Sequence, residues 1–281
     1  MTTETEHIAC PSCHQLINGT YCAHCGEKRL SEHDFSLRHF IEEGIEGFTH
    51  FDNKFFRSVK LLITQPGQLA AYYFKGKRVA FMKPLQLFIV CNLLFFFLLG
   101  HSNLFSIPFY SYKIFKPYTS FGTEKNIAQK ATTPEQLKSL SEVFNERMAI
   151  QSKAFIIFFI PVFAVGFALL YLHKKKYFTE HLVFATHFFS FILLYYIGFR
   201  FVVELPFVLI AKTNFSSTFD FVATMLSLVV IASYCTVAAK KFYGVSTVRA
   251  IVSSFLIVCI FVLAIYAFRL LLFYKIIYSI H

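Results

Sequence analysis

The sequence predicts an all-α polytopic membrane protein with a small cysteine-rich module at its N-terminus. Three observations carry that prediction. Hydrophobic residues make up 56% of the 281 residues and Asp, Glu, Lys and Arg only 15%, against roughly 45–50% and about 25% in soluble domains. From Pro84 onward the apolar residues gather into long runs instead of spreading at helical or strand period. Two Cys-x-x-Cys pairs, Cys10-Pro11-Ser12-Cys13 and Cys22-Ala23-His24-Cys25, stand ahead of the first run. The polar first 30 residues show no apolar core of a cleavable signal peptide.

The cysteines come first in chain order. Each Cys-x-x-Cys pair forms a tight knuckle, and two knuckles separated by eight residues suit a tetrahedral metal with sulfur ligands at about 2.3 Å. The spacing points to a structural zinc ion held by Cys10, Cys13, Cys22 and Cys25. Iron in the same cage is one alternative. A thiol–disulfide pair is the other, although no strand–helix redox context surrounds either knuckle. Four protein ligands leave no open coordination position, so the metal is expected to be structural. His14 and His24 stand beside ligands and are expected to be solvated. The module spans residues 1–30, and its core is too small to fold without metal.

Residues 31–83 read as cytoplasmic amphipathic helices. Leu37, Phe40, Ile41, Ile45 and Phe48 fall on one helical stripe. Asp52 is placed to cap a helix from Asn53 to Thr64, with Phe55, Phe56, Val59, Leu62 and Ile63 as its apolar face. Pro66-Gly67 breaks that helix, Leu69 to Phe74 forms a short one, and Gly76-Lys77-Arg78 turns the chain toward the bilayer. Lys54, Arg57, Lys60, Lys75, Lys77, Arg78 and Lys83 occur with no intervening acid. Directly before a spanning segment, that charge suits anionic lipid head groups and an in-plane helix. No nucleic-acid recognition motif accompanies it, so the formal charge of +11 is assigned to lipid.

Residues 84–281 form the transmembrane domain. Five spans are expected, at about 85–105, 154–172, 182–203, 219–239 and 250–273, since a crossing helix needs about 20 apolar residues. Asn92 and His101 interrupt the first. Pro206 makes Leu205 to Ile210 a candidate re-entrant or interfacial piece. The basic loops at residues 75–83, 173–176 and 240–249 fall on one side under this count. This places the N-terminus in the cytoplasm and His281 outside. Residues 106–153 become an extracytoplasmic loop, in which Thr133, Pro134 and Gln136 announce a helix running to about Met148.

Few ionisable residues enter the spans. His187 is expected to be hydrogen-bonded near the cytoplasmic end of the third. Arg200, Glu204, Asp220 and Arg269 all map to the outer face, where either each snorkels to the head groups or the four form a candidate polar cluster. Cys91, Cys235 and Cys259 lie in apolar runs as packing residues. No nucleotide loop, zinc-protease motif or nucleophile elbow is present.

The order of two Cys-x-x-Cys pairs, the second followed by Gly26, then Pro66-Gly67, Tyr72-Tyr73, Gly76-Lys77-Arg78, Pro84 and a phenylalanine-rich span resembles the bacterial domain of unknown function 3667 family. The resemblance covers roughly residues 10–100. It implies a bacterial inner-membrane protein and supplies no activity. The residues themselves favour a non-enzymatic scaffold or sensor whose zinc module recruits a cytoplasmic partner. A small transporter or channel using the outer charged cluster is the second reading. A lipid-acting membrane enzyme using His187 and Asp220 is the third. Oligomeric state is left open.

Overall fold

The computed structural model describes residues 8–17, 19–29, 36–38, 40–41, 53–99, 105–211 and 217–280. Ile45, Phe48, Asp52 and His101 lie outside these residues, and of the expected 37–48 stripe only Leu37, Phe40 and Ile41 fall within them. The described chain is mostly helical and divides into two compact units, residues 1–91 with 160–258 and residues 92–159 with 259–281.

The first unit opens with a two-residue antiparallel ladder, β1 (Ile8–Ala9) on β2 (Leu16–Ile17). Helix α1 (Lys54–Thr64) follows, then α2 (Gln68–Phe74) across the expected Pro66-Gly67 break. Asn53 occupies the α1 N-cap, without a side-chain capping bond. The apolar set of α1 is divided between two directions. Phe55, Ser58 and Leu62, at i, i+3 and i+7, are buried, whereas Phe56 is 69% exposed and Ile63 51%. Tyr234 OH donates to the Leu62 carbonyl at 2.9 Å, and Ser58 Oγ accepts the Met82 amide at 2.8 Å. One face of α1 is therefore seated on the protein itself, and only Phe56 and Ile63 remain for an outside surface.

Helix α3 (Pro84–Leu98) starts in this unit. Helices α8 and α9 are numbered after the helices of the second unit. Helix α8 (Phe159–Leu170) follows a single 3-10 turn, and α9 (Phe178–Phe199) is buried continuously from Thr179 to Leu193. It begins four residues before the expected Leu182, because Glu180 Oε2 accepts the Tyr177 amide at 3.0 Å and caps the extra turn. Past α9 the chain stays helical. A π-helical turn (Arg200–Glu204) leads straight into α10 (Leu205–Ala211). Pro206 has no amide to donate, and the wider turn before it is the usual way a helix absorbs such a lost bond. Helix α11 (Ser217–Tyr243) and the start of α12 (Thr247–Ser279) complete the unit, joined through Gly244 at φ +59°.

Among the described residues, three helical stretches are long and apolar enough to cross a membrane: Phe178–Phe207, Phe221–Tyr243 and Thr247–Ser279. A fourth arises if Pro134–Lys153 and Phe155–Leu170 count as one bent span. These three correspond to the third, fourth and fifth expected spans. Helix α3 has 15 residues and α8 has 12, short of the about 20 a straight crossing needs. The stretch through α9 is 67% buried, but those of α11 and α12 only 28%. α9 is thus the central helix of its unit, whereas α11 and α12 offer wide apolar faces of the kind that meet lipid.

In the second unit, residues 106–153 are compactly folded. Helices α4 (Ser111–Ile114), α5 (Lys116–Thr119), α6 (Thr123–Lys130) and α7 (Pro134–Ala154) pack on the last turns of α12. The capping box at Thr133 and Gln136 forms as read. The core joins Phe109, Tyr112, Phe144 and Met148 to Leu272, Phe273 and Ile276. Helix α12 runs six residues past the expected end at Phe273 because these residues cover it.

Candidate metal centre

Cys10 Sγ lies 3.5 Å from Cys25 Sγ, and Cys13 Sγ 3.5 Å from Cys22 Sγ. All four sulfurs fall within 4.8 Å of one another. Tetrahedral sulfurs at about 2.3 Å from one metal stand about 3.8 Å apart, so the set has the dimensions to hold a metal ion. The sequence positions it through two matching turns. His14 N donates to Cys10 O at 2.9 Å, and Gly26 N to Cys22 O at 2.9 Å. The residue after each knuckle takes a left-handed conformation, His14 at φ 63° and Gly26 at φ 73°. Amides of Cys25 and His24 aimed at Cys22 hold its thiol below the ordinary range, at about 6, whereas the Cys13 and Cys25 thiols are raised.

The module is keyed to the next segment by a residue that spacing did not single out. Glu27 is 1% exposed. Its Oε2 accepts Ser12 Oγ at 2.6 Å, the Arg78 amide at 3.0 Å and the Val79 amide at 3.2 Å. A buried carboxylate is tolerated where it is this fully hydrogen-bonded. Arg78 is oriented in turn: its Nε donates to Tyr73 O at 3.2 Å, and its guanidinium lies 4.1 Å from the Tyr73 ring centroid. The available signal was an acid placed directly after Cys25-Gly26, ahead of the all-basic approach to the first span.

Behind that turn, Gly67 rests against α11. At φ +78°, an added Cβ would stand 2.4 Å from the Ala238 carbonyl oxygen. Only glycine satisfies both the conformation and the contact. The break, α1, α2 and the Gly76-Lys77-Arg78 turn thus make one fitted element. Residues 52–96, which contain it, match the model of a family described as Protein of unknown function (DUF3667). The likeness to DUF3667 is confined to this segment. The four cysteines lie outside the matched DUF3667 residues. No curated protein and no solved structure matches the chain.

His187, expected to be hydrogen-bonded, is buried behind the DUF3667 segment with neither ring nitrogen in hydrogen-bond contact. It lines two small cavities, each with room for about one water molecule, at about 10 Å³. The neighbouring His181 does pair, through Nδ1 to Tyr243 OH at 2.9 Å.

Of the expected outer cluster, the structure joins two residues. Arg200 Nη1 pairs with Glu204 Oε2 at 2.8 Å, with both side chains about one-third exposed. Asp220 lies on the first turn of α11. Arg269 belongs to the second unit, where its Nη1 reaches Tyr118 OH at 3.5 Å and its carbonyl accepts from Tyr112 OH. Cys91 and Cys235 are buried, and Cys259 is half-buried.

Proposed function

We propose that this chain is a non-enzymatic integral membrane scaffold or sensor, in which a structural zinc ion folds an N-terminal platform that recruits a cytoplasmic protein. The supporting observation is the four-sulfur set held onto the DUF3667 segment by Glu27. A metal with four protein sulfurs has no position for substrate, and the module's rigid attachment suits presentation of a surface. That surface carries Leu16 and Tyr21, which are 59% and 62% exposed on a module whose buried apolar core, among the described residues, is Cys10, Ile17 and Cys22. Exposed apolar side chains at that density suit a protein contact.

In this reading the body has five crossings. The three long helices are joined by α3 and by the bent α7–α8 pair, with α3 relying on its flanking residues to complete its length. The N-terminus faces the cytoplasm of a bacterial inner membrane, and α1 meets the head groups through Phe56 and Ile63. A photo-crosslinking residue at Leu16 or Tyr21, installed in living cells, tests the recruitment. A discrete adduct that disappears in Cys13→Ser is the expected result. No adduct at either position, or adducts indifferent to Cys13→Ser, would reject the platform.

A further inference from the structure

A cleft of about 450 Å³ opens beside α2, the start of α9 and the end of α11, within the size range of ligand sites. Gln68 and Lys75 border it from the two ends of α2, Lys176 and Glu180 from the start of α9, and Lys241 and Phe242 from the end of α11. Lys176 is committed: its Nζ lies 2.5 Å from Glu180 Oε1 and 4.6 Å from the Phe242 ring centroid. Glu180 is also engaged, since its second oxygen caps Tyr177 N. Lys75 and Lys241 are exposed and make no ion pair among the described residues.

Three lysines against one occupied carboxylate leave the cleft positive, and the Phe242 ring gives it an apolar wall. Such a site suits a ligand with an anionic head and an apolar body. Its position agrees: it opens where α9 begins and α11 ends, the level at which head groups lie if these helices cross the bilayer.

We propose that this cleft seats the phosphate of an anionic lipid head group, with Lys75 and Lys241 supplying the charge and the Lys176–Glu180 pair fixing the wall. This rests on the reading of α9 and α11 as spans, which is tested separately by alkaline carbonate extraction. Release of the chain from membranes would defeat that reading before any lipid is added. Purified protein in detergent is then titrated with phosphatidylglycerol and with phosphatidylcholine, and binding is read by native mass spectrometry. The parent is expected to prefer phosphatidylglycerol by roughly 30-fold or more. Combining Lys75→Gln with Lys241→Gln weakens phosphatidylglycerol about 30-fold, at about fivefold per lysine, and leaves phosphatidylcholine unchanged. Lys75→Arg with Lys241→Arg keeps the preference, which separates loss of charge from loss of fold. Equal affinity of the parent for the two lipids would overturn the proposal, as would an undiminished preference in the glutamine variant. Displacement of phosphatidylglycerol by micromolar inorganic phosphate would also overturn it, by assigning the cleft to a soluble anion.

Discussion

Replacing Gly67 by alanine tests the fitted element at its tightest point. Two penalties combine there. A left-handed backbone at φ +78° costs an L-residue about 1–2 kcal/mol. The added Cβ, 2.4 Å from Ala238 O, also has backbone oxygen and Cα as its nearest neighbours and no flexible side chain to displace. Relief requires α2 to move off α11, an overpacking penalty of about 1–3 kcal/mol. Gly122 supplies an internal control: it has the same φ of +78° and nothing within 4 Å of its added Cβ. Gly122→Ala therefore carries the backbone penalty alone. At about 2–4 °C per kcal/mol for a chain of this size, Gly67→Ala lowers the melting temperature by roughly 5–15 °C and Gly122→Ala by less than half of that. Circular dichroism melts in one detergent measure both. Equal shifts for the two variants would refute the close approach to Ala238.

Three further outcomes follow from the same geometry. Glu27→Gln removes a charged acceptor worth about 1.5–3 kcal/mol, so amide exchange at Arg78 and Val79 should quicken roughly 10- to 100-fold; unchanged exchange would mean that the module does not sit there. His187→Leu removes a buried imidazole whose nitrogens are unbonded and should raise the melting temperature by a few degrees, since relieving such a group is worth about 1–3 kcal/mol. A fall instead would show that a water or ligand in the adjoining cavities satisfies the ring. Glu204→Gln breaks only a partly exposed i, i+4 pair, worth about 0.3–0.5 kcal/mol, so a shift above about 2 °C would reveal a larger polar cluster around Arg200.

Local signals were legible in the sequence, and contacts between distant segments were not. The Thr133–Gln136 box and the Pro66-Gly67 break were readable because their causes lie within a few residues. The reason residue 67 must be glycine was hidden, because Ala238 belongs to a helix far along the chain. Helices α4 and α5 are single turns that owe their form to Tyr112 and Tyr118 packing on Phe273 and Tyr266, and no periodicity betrays so short an element. Helix α9 began early because Glu180, which a hydropathy reading excludes, serves as its cap. The sulfur set was readable from spacing, whereas Glu27, which seats the module, has partners 51 and 52 residues away.

The metal content of protein purified from membranes bears most directly on the account. With the cysteines kept reduced and chelators avoided, elemental analysis should find one zinc per chain, falling to near zero in the variant combining Cys10→Ser with Cys22→Ser. Less than half an equivalent of zinc, or a full equivalent that survives loss of both cysteines, would contradict a zinc-folded platform.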